Sequence, residues 1–196
     1  AQCAERLGID RANVTILPNG CNTDIIRLFS RAYSRTKLGL DTLSPVVAYE
    51  LGSFQPPRLI SLLLECFGNI LEEMAETRLL LFGAWPLDKK IINDLAIARG
   101  LQDRLIVLGR LKSEEMSIAL SSADVLLLPL EDTIIARAGW PGRFCDYLSS
   151  GRPIVASSVG DASRIVEIEE CGYTCTPGDP KDMAEKTLSI IGNREL

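Results

Sequence analysis

The chain has 196 residues, with 21 basic and 26 acidic side chains (net charge −5), 46% hydrophobic residues, six cysteines and no histidine. That length supplies one domain with a buried core, and an acidic balance without a basic run argues against binding to nucleic acid or an anionic membrane surface. The missing histidine excludes a Ser-His-Asp or Cys-His nucleophile within this chain, histidine-ligated zinc and a histidine-based pH switch.

Short apolar runs alternate with helical patterns from one end to the other. The first run, NVTILP (13–18), predicts a strand, and PVVAYELG (45–52) predicts a second. After Pro56-Pro57 comes a helix carrying Leu59, Leu62, Leu63, Cys66, Ile70 and Met74 along one face. TRLLLFG (77–83) is the next strand, followed by a helix at 86–99, the strand RLIVLG (104–109) and a helix at 113–121. DVLLLP (124–129) leads into a long loop and a helix at 143–150. The strand PIVAS (153–157), a helix at 161–169 and the brief strand GYTC (172–175) follow. The last helix, 180–191, has Asp179 as N-cap and Pro180 in its first turn.

Almost all of these strands lack in/out alternation, the pattern of parallel strands covered on both faces. Strict alternation of strand and helix predicts a doubly wound α/β fold: a mostly parallel, Rossmann-like sheet with helices on both faces and ligands at the carboxyl ends of the strands. The loops to inspect are therefore Gly52 to Arg58, Gly83 to Pro86, Gly109 to Ser113, Leu130 to Arg143 and Ser157 to Asp161. The fourth is long enough to suggest a functional role. No apolar stretch approaches the roughly 20 residues of a membrane span. The cysteines, Cys3, Cys21, Cys66, Cys145, Cys171 and Cys175, lack paired C-x2-C spacing and read as free thiols. The start, without methionine or leader pattern, reads as a piece of something longer.

In the long loop, Gly139, Pro141 and Gly142 precede an apolar helix whose free N–H groups face the ligand edge, a general anion site. Arg143 in its first turn opposes the helix dipole, so it either meets an anion or is simply solvated. Asp146, one turn on, either accepts hydrogen bonds from sugar hydroxyls or pairs with Arg143 or Arg152. Glu131, Asp132 and Arg137 either line a sugar pocket or form a solvated loop. Trp140 follows the loop and is a candidate for stacking, whereas Trp85 reads as a core cap. Asn19-Gly20 is a turn signal.

Taken together, ILPNGCNTDIIR (16–27), LGSFQPPR (51–58), RLLLFG (78–83), LQDRLIVLGRLKSEEMSIALSSADVLLLPL (101–130), WPGRFCDYLSSGRPIVAS (140–157) and GYTCTPGDPKDMAE (172–185) resemble the C-terminal half of a GT-B glycosyltransferase of family 4. The blocks cover nearly the whole chain. The resemblance implies one domain, 1–196, that binds a nucleoside-diphosphate sugar as donor substrate, with no other cofactor and no metal. It also implies a separate N-terminal acceptor domain as partner, a role in glycan biosynthesis and a cytoplasmic setting. Any contact with the inner face of a membrane would come through that other domain.

Roles follow position by position. The family lysine six residues after the strand-ending glycine is Arg58 here, counted from Gly52, and the arginine that usually follows the glycine is Ser53. The family's two glutamates, eight positions apart, fall at Ala138 and Asp146. Asp146 retains a carboxylate for the ribose and Ala138 has lost one, a departure similar to a branch of the family with the Trp140-to-Leu148 arrangement. The resemblance places the base against Gly109, Arg110 and Leu111, and the diphosphate between Arg58, Arg143 and the helix N-terminus at Gly142; Trp140 remains a candidate to stack on the base or the sugar. The competing reading is a non-catalytic α/β ligand-binding or interaction module in which Ser53 and Ala138 report lost chemistry. Convergence of Arg58, Arg143 and Asp146 on one pocket would separate the two. A dinucleotide oxidoreductase is disfavoured because no G-x-G-x-x-G follows the first strands.

Overall fold

The computed structural model describes residues 5–15, 17, 19–52 and 56–193. Six parallel strands form one sheet in the order β3-β2-β1-β4-β5-β6. They are β1 (Val46–Glu50), β2 (Arg78–Ala84), β3 (Leu105–Gly109), β4 (Val125–Leu128), β5 (Ile154–Ser157) and β6 (Gly172–Cys175). Strand β1 pairs with β2 on one side and with β4 on the other, so the chain reverses its direction of travel between β1 and β4. In doubly wound sheets the crevice outside the carboxyl ends at this switch point takes the ligand.

Eight α-helices accompany the strands among the described residues: α1 (Arg31–Lys37), α2 (Pro57–Glu73), α3 (Pro86–Ile97), α4 (Ser113–Ser122), α5 (Ile134–Ala138), α6 (Gly142–Ser149), α7 (Gly160–Ile168) and α8 (Pro180–Gly192). Alternate residues of each strand feed two cores. Val47, Tyr49, Leu79 and Leu81 pack under α2, α3 and α8. Val46, Ala48, Leu80 and Phe82 pack under α4, α6 and α7. Because both faces are covered, the central strands are apolar throughout, as the runs in the sequence predict. On α2 the predicted face is buried or half-buried, and Ile60, Leu64 and Phe67 widen it because the helix meets both the sheet and α8. Asp179 caps α8, its Oδ1 accepting from the N–H groups of Lys181 and Asp182.

One expectation is corrected, and one helix adds to the predicted set. Val14, Thr15 and Leu17 of the predicted first strand belong to no strand, while Ile16 and Pro18 lie outside the described residues. Leu17 is 85% exposed, so this apolar run has no sheet to join. The chain that follows instead runs along α4 and α6. Ser117 and Ser121, one turn apart, accept from the N–H groups of Arg27 and Phe29 at 3.1 and 3.0 Å. Helix α1 was not anticipated, although its N-cap Ser30 accepts from the Tyr33 N–H and its last turn carries Arg35 and Lys37. Cys21, Cys66, Cys145, Cys171 and Cys175 are free thiols, and Cys3 lies outside the described residues.

Candidate functional site

The site is built on the end of β1. Glu50, its last residue, donates its N–H to Tyr147 Oη at 2.9 Å and accepts from Arg143 Nη1 at 2.6 Å through its main-chain oxygen. Arg143 also donates to Tyr49 Oη, and its guanidinium lies over the Tyr49 ring, 5.0 Å from the centroid. Tyr49 and Glu50 point to opposite faces of the sheet, so Arg143 reaches over the strand end and ties them together. Burial works against the arginine's charge, but Tyr49, Tyr147 and Glu50 more than offset it and its pKa is raised. Helix α6 begins at Gly142 behind Pro141 with no side-chain cap, leaving its first N–H groups to whatever approaches the strand end. Gly142 is exposed, and a Cβ there would meet nothing.

Burial raises the pKa of both carboxyls beside this cation. Glu50 is pushed up to about 7, chiefly by burial; Arg143 opposes the shift and Asp146 adds to it. Asp146 is half-buried and raised by burial, and among the described residues no ion pair joins it to Arg143 or Arg152. It therefore stands as a carboxylate on the helix that carries Arg143.

Arg58, in the first turn of α2, forms an ion pair with Glu131, which follows β4 across the switch point. Both line a cavity of about 650 Å³ over the carboxyl ends of β4 and β5, together with Pro129, Thr133, Ser157 and Gly178. Arg143 and Asp146 do not line that cavity. The three residues share one edge of the sheet but not one enclosed pocket. The loop after β4 is anchored by Ser157, whose Oγ accepts the Leu130 N–H at 3.0 Å. Within that loop Asp132 pairs bidentately with Arg137 at 2.5 and 2.7 Å, and both are exposed. A larger cavity, about 1200 Å³, lies at the opposite, amino-terminal edge beside Asp124 and Arg152 and holds none of the predicted site residues.

The remaining candidates divide. Gly109 ends β3, two strand spacings or about 10 Å from β1. Arg110 is exposed and lies over the Trp85 ring at 4.5 Å. Leu111 packs against the core under α4 and α6. Trp140 is half-buried, donates from Nε1 to Cys145 Sγ at 3.0 Å and meets Phe144 edge-on. That packing makes it a brace for α6. Ala138 is exposed at the end of α5, and Ser53 lies outside the described residues. Tyr49, Glu50 and Tyr147 were missed. The available signal was Glu50 itself, a lone acid ending an apolar strand.

The strand order, with Arg58 and Arg143 at the carboxyl edge beside the switch point, defines a Rossmann-like α/β domain. A family model described as "Glycosyl transferases group 1" matches residues 45–193, and the chain belongs to that family. Its fold is one half of a GT-B glycosyltransferase. It is 24% identical over 99% of its length to D-inositol 3-phosphate glycosyltransferase of Nocardia farcinica and 25% identical over 98% to phosphatidyl-myo-inositol mannosyltransferase of Mycobacterium leprae. The chain spans 43% and 47% of those two proteins. Among solved structures, Anabaena Alr3699/HepE in complex with UDP-glucose superimposes with a TM-score of 0.73 at 17% identity, covering 99% of this chain and 52% of that one.

Proposed function

We propose that this domain binds a nucleoside-diphosphate sugar at the carboxyl edge of its sheet, as the donor half of a transferase whose acceptor site lies on a separate domain. The observation that carries this reading is Arg143 seated on the end of β1, beside the uncapped start of α6 and across the switch point from Arg58. Two cations and free main-chain N–H groups along one edge of the sheet suit a diphosphate. The base would lie against Gly109, Arg110 and Leu111, and Asp146 would accept from the ribose hydroxyls.

In the transfer, the bond from the anomeric carbon to the diphosphate oxygen breaks and a bond to an acceptor hydroxyl oxygen forms. The nucleoside diphosphate and the hydroxyl proton are released. The charge that develops on the leaving diphosphate is met by Arg58, Arg143 and the α6 N-terminus, which is where this chain lowers the barrier without calling on a metal. The sugar would extend towards Glu131 and the cavity over β4.

Thermal unfolding with millimolar UDP, GDP, ADP, CMP and their sugar conjugates tests the reading. A ligand at 100 times its Kd stabilises the fold by about 2.7 kcal/mol, enough for a shift of several degrees. A base-selective shift that is lost in Arg143→Ala and reduced in Asp146→Ala is expected. No shift with any nucleotide, in folded protein, would favour the non-catalytic module that the alanine at position 138 suggests.

A further inference from the structure

Glu50 carries a half-buried carboxyl that the transfer scheme does not use. Its main chain is held on both sides by α6, through Tyr147 Oη on its N–H and Arg143 on its carbonyl. Its side chain is not so held: Oε2 is buried and accepts no hydrogen bond, and among the described residues no ion pair joins the carboxyl to Arg143. An ionised carboxylate with one oxygen so enclosed is costly, because no protein donor compensates Oε2.

We propose that Glu50 is a positioning residue of the donor site, admitting a diphosphate in front of Arg143 when its carboxyl is protonated and repelling it when ionised. The proposal rests on the donor-site reading above. Glu50 acts through Arg143 and the local field rather than by touching the ligand. The charged and titratable groups around it are Arg143, Asp146 and Tyr147 on α6 and Tyr49 on its own strand. Both tyrosines are raised by burial and stay neutral near pH 7, so the local charge is set by one cation and two carboxyls. Burial brings Glu50 to about 7, where a nearby anion decides its state. A diphosphate placed at Arg143 favours the protonated form, and linkage then requires that donor binding take up a proton.

The test uses UDP-glucose, GDP-mannose and ADP-glucose, whose diphosphate diesters do not titrate near neutrality. Binding is measured calorimetrically at about pH 6 and about pH 8 for the wild-type domain and Glu50→Gln. For a group at about 7 that stays protonated in the complex, wild-type affinity falls about tenfold over this range, with proton uptake visible as a dependence of the heat on buffer ionisation. Glu50→Gln keeps the low-pH affinity at both values. A merely structural role would lower stability and leave the pH slope in place. Equal wild-type affinity at both values, or the same slope in Glu50→Gln, overturns the proposal and leaves the donor site standing. No binding of any sugar nucleotide to folded protein removes the donor reading and the coupling with it. Should Glu50→Gln fail to fold, carbon-13 titration of the Glu50 carboxyl decides: a pKa raised by sugar nucleotide supports the coupling, and an unchanged one overturns it.

Discussion

The guanidinium of Arg143 closes the end of β1 by donating a 2.6 Å hydrogen bond to the main-chain carbonyl of Glu50. Together with its bond to Tyr49 Oη, this makes Arg143 part of the sheet's carboxyl edge as well as a cation in the crevice. Arg143→Ala removes the donor to the Glu50 carbonyl and the Arg143 hydrogen bond to Tyr49 Oη. Such a loss costs about 1–3 kcal/mol, measurable by urea unfolding. Arg143→Lys recovers only part of it, because a lysine lacks the planar fork and the stacking surface over Tyr49.

Glu131 competes with any anion for Arg58. The arginine side chain is 72% exposed, so their ion pair contributes at most about 1 kcal/mol. Glu131→Gln frees the cation, and affinity for a sugar nucleotide rises by up to about fivefold. Titration calorimetry of that variant at low salt is the measurement, and a fall in affinity would instead mark Glu131 as a ligand contact.

Stability depends on pH through Glu50. A carboxyl raised from 4.5 to about 7 in the folded state binds more protons folded than unfolded between those values. Its contribution is therefore absent below about pH 4.5, destabilises progressively as pH rises towards 7, and stays constant above. The full effect is on the order of 3 kcal/mol. Glu50→Gln removes it, so the variant exceeds wild type in denaturant midpoint at pH 8 and the difference shrinks at pH 5.

Asp124 gathers one corner of the fold. It accepts from Arg31 at 2.6 Å, from Arg35 at 2.5 Å and from the Val46 N–H at 2.8 Å, and the Arg35 side chain is only 5% exposed. Asp124→Asn leaves a buried guanidinium without its counter-charge, at a cost of about 3–5 kcal/mol. Chemical denaturation should show the loss without any change in ligand specificity, since this corner lies at the amino-terminal edge of the sheet.

Gly160 sets where α5 lies. Its φ is +68°, and a Cβ there would stand 3.0 and 3.1 Å from the carbonyl oxygens of Ala136 and Arg137. Gly160→Ala combines left-handed strain with a backbone clash, destabilises by about 1–3 kcal/mol and displaces the loop after β4. Hydrogen exchange at Ala136 and Arg137 reads the displacement directly.

The alternation of apolar runs with helical spacing was enough to define a doubly wound sheet, because strands covered on both faces must be apolar throughout. It also located all six strands to within one or two residues. The same signal misplaced the run at 13–18, since an apolar hexamer reads as a strand whether or not a neighbour exists to pair with it. The motif blocks carried the family and put Arg58, Arg143 and Asp146 on one edge. What they could not carry was the state of those side chains. Arg143 is half-buried on Tyr49 and Glu50, 94 and 93 positions away in sequence, and Arg58 is held by Glu131, 73 positions away. Trp140, a candidate to stack on a base or sugar, braces α6 through Cys145 and Phe144. Periodicity and spacing describe each residue against its chain neighbours. Burial, charge pairing and the raised carboxyl of Glu50 depend on which distant segments the sheet order brings together at the end of β1, and only the tertiary structure decides that.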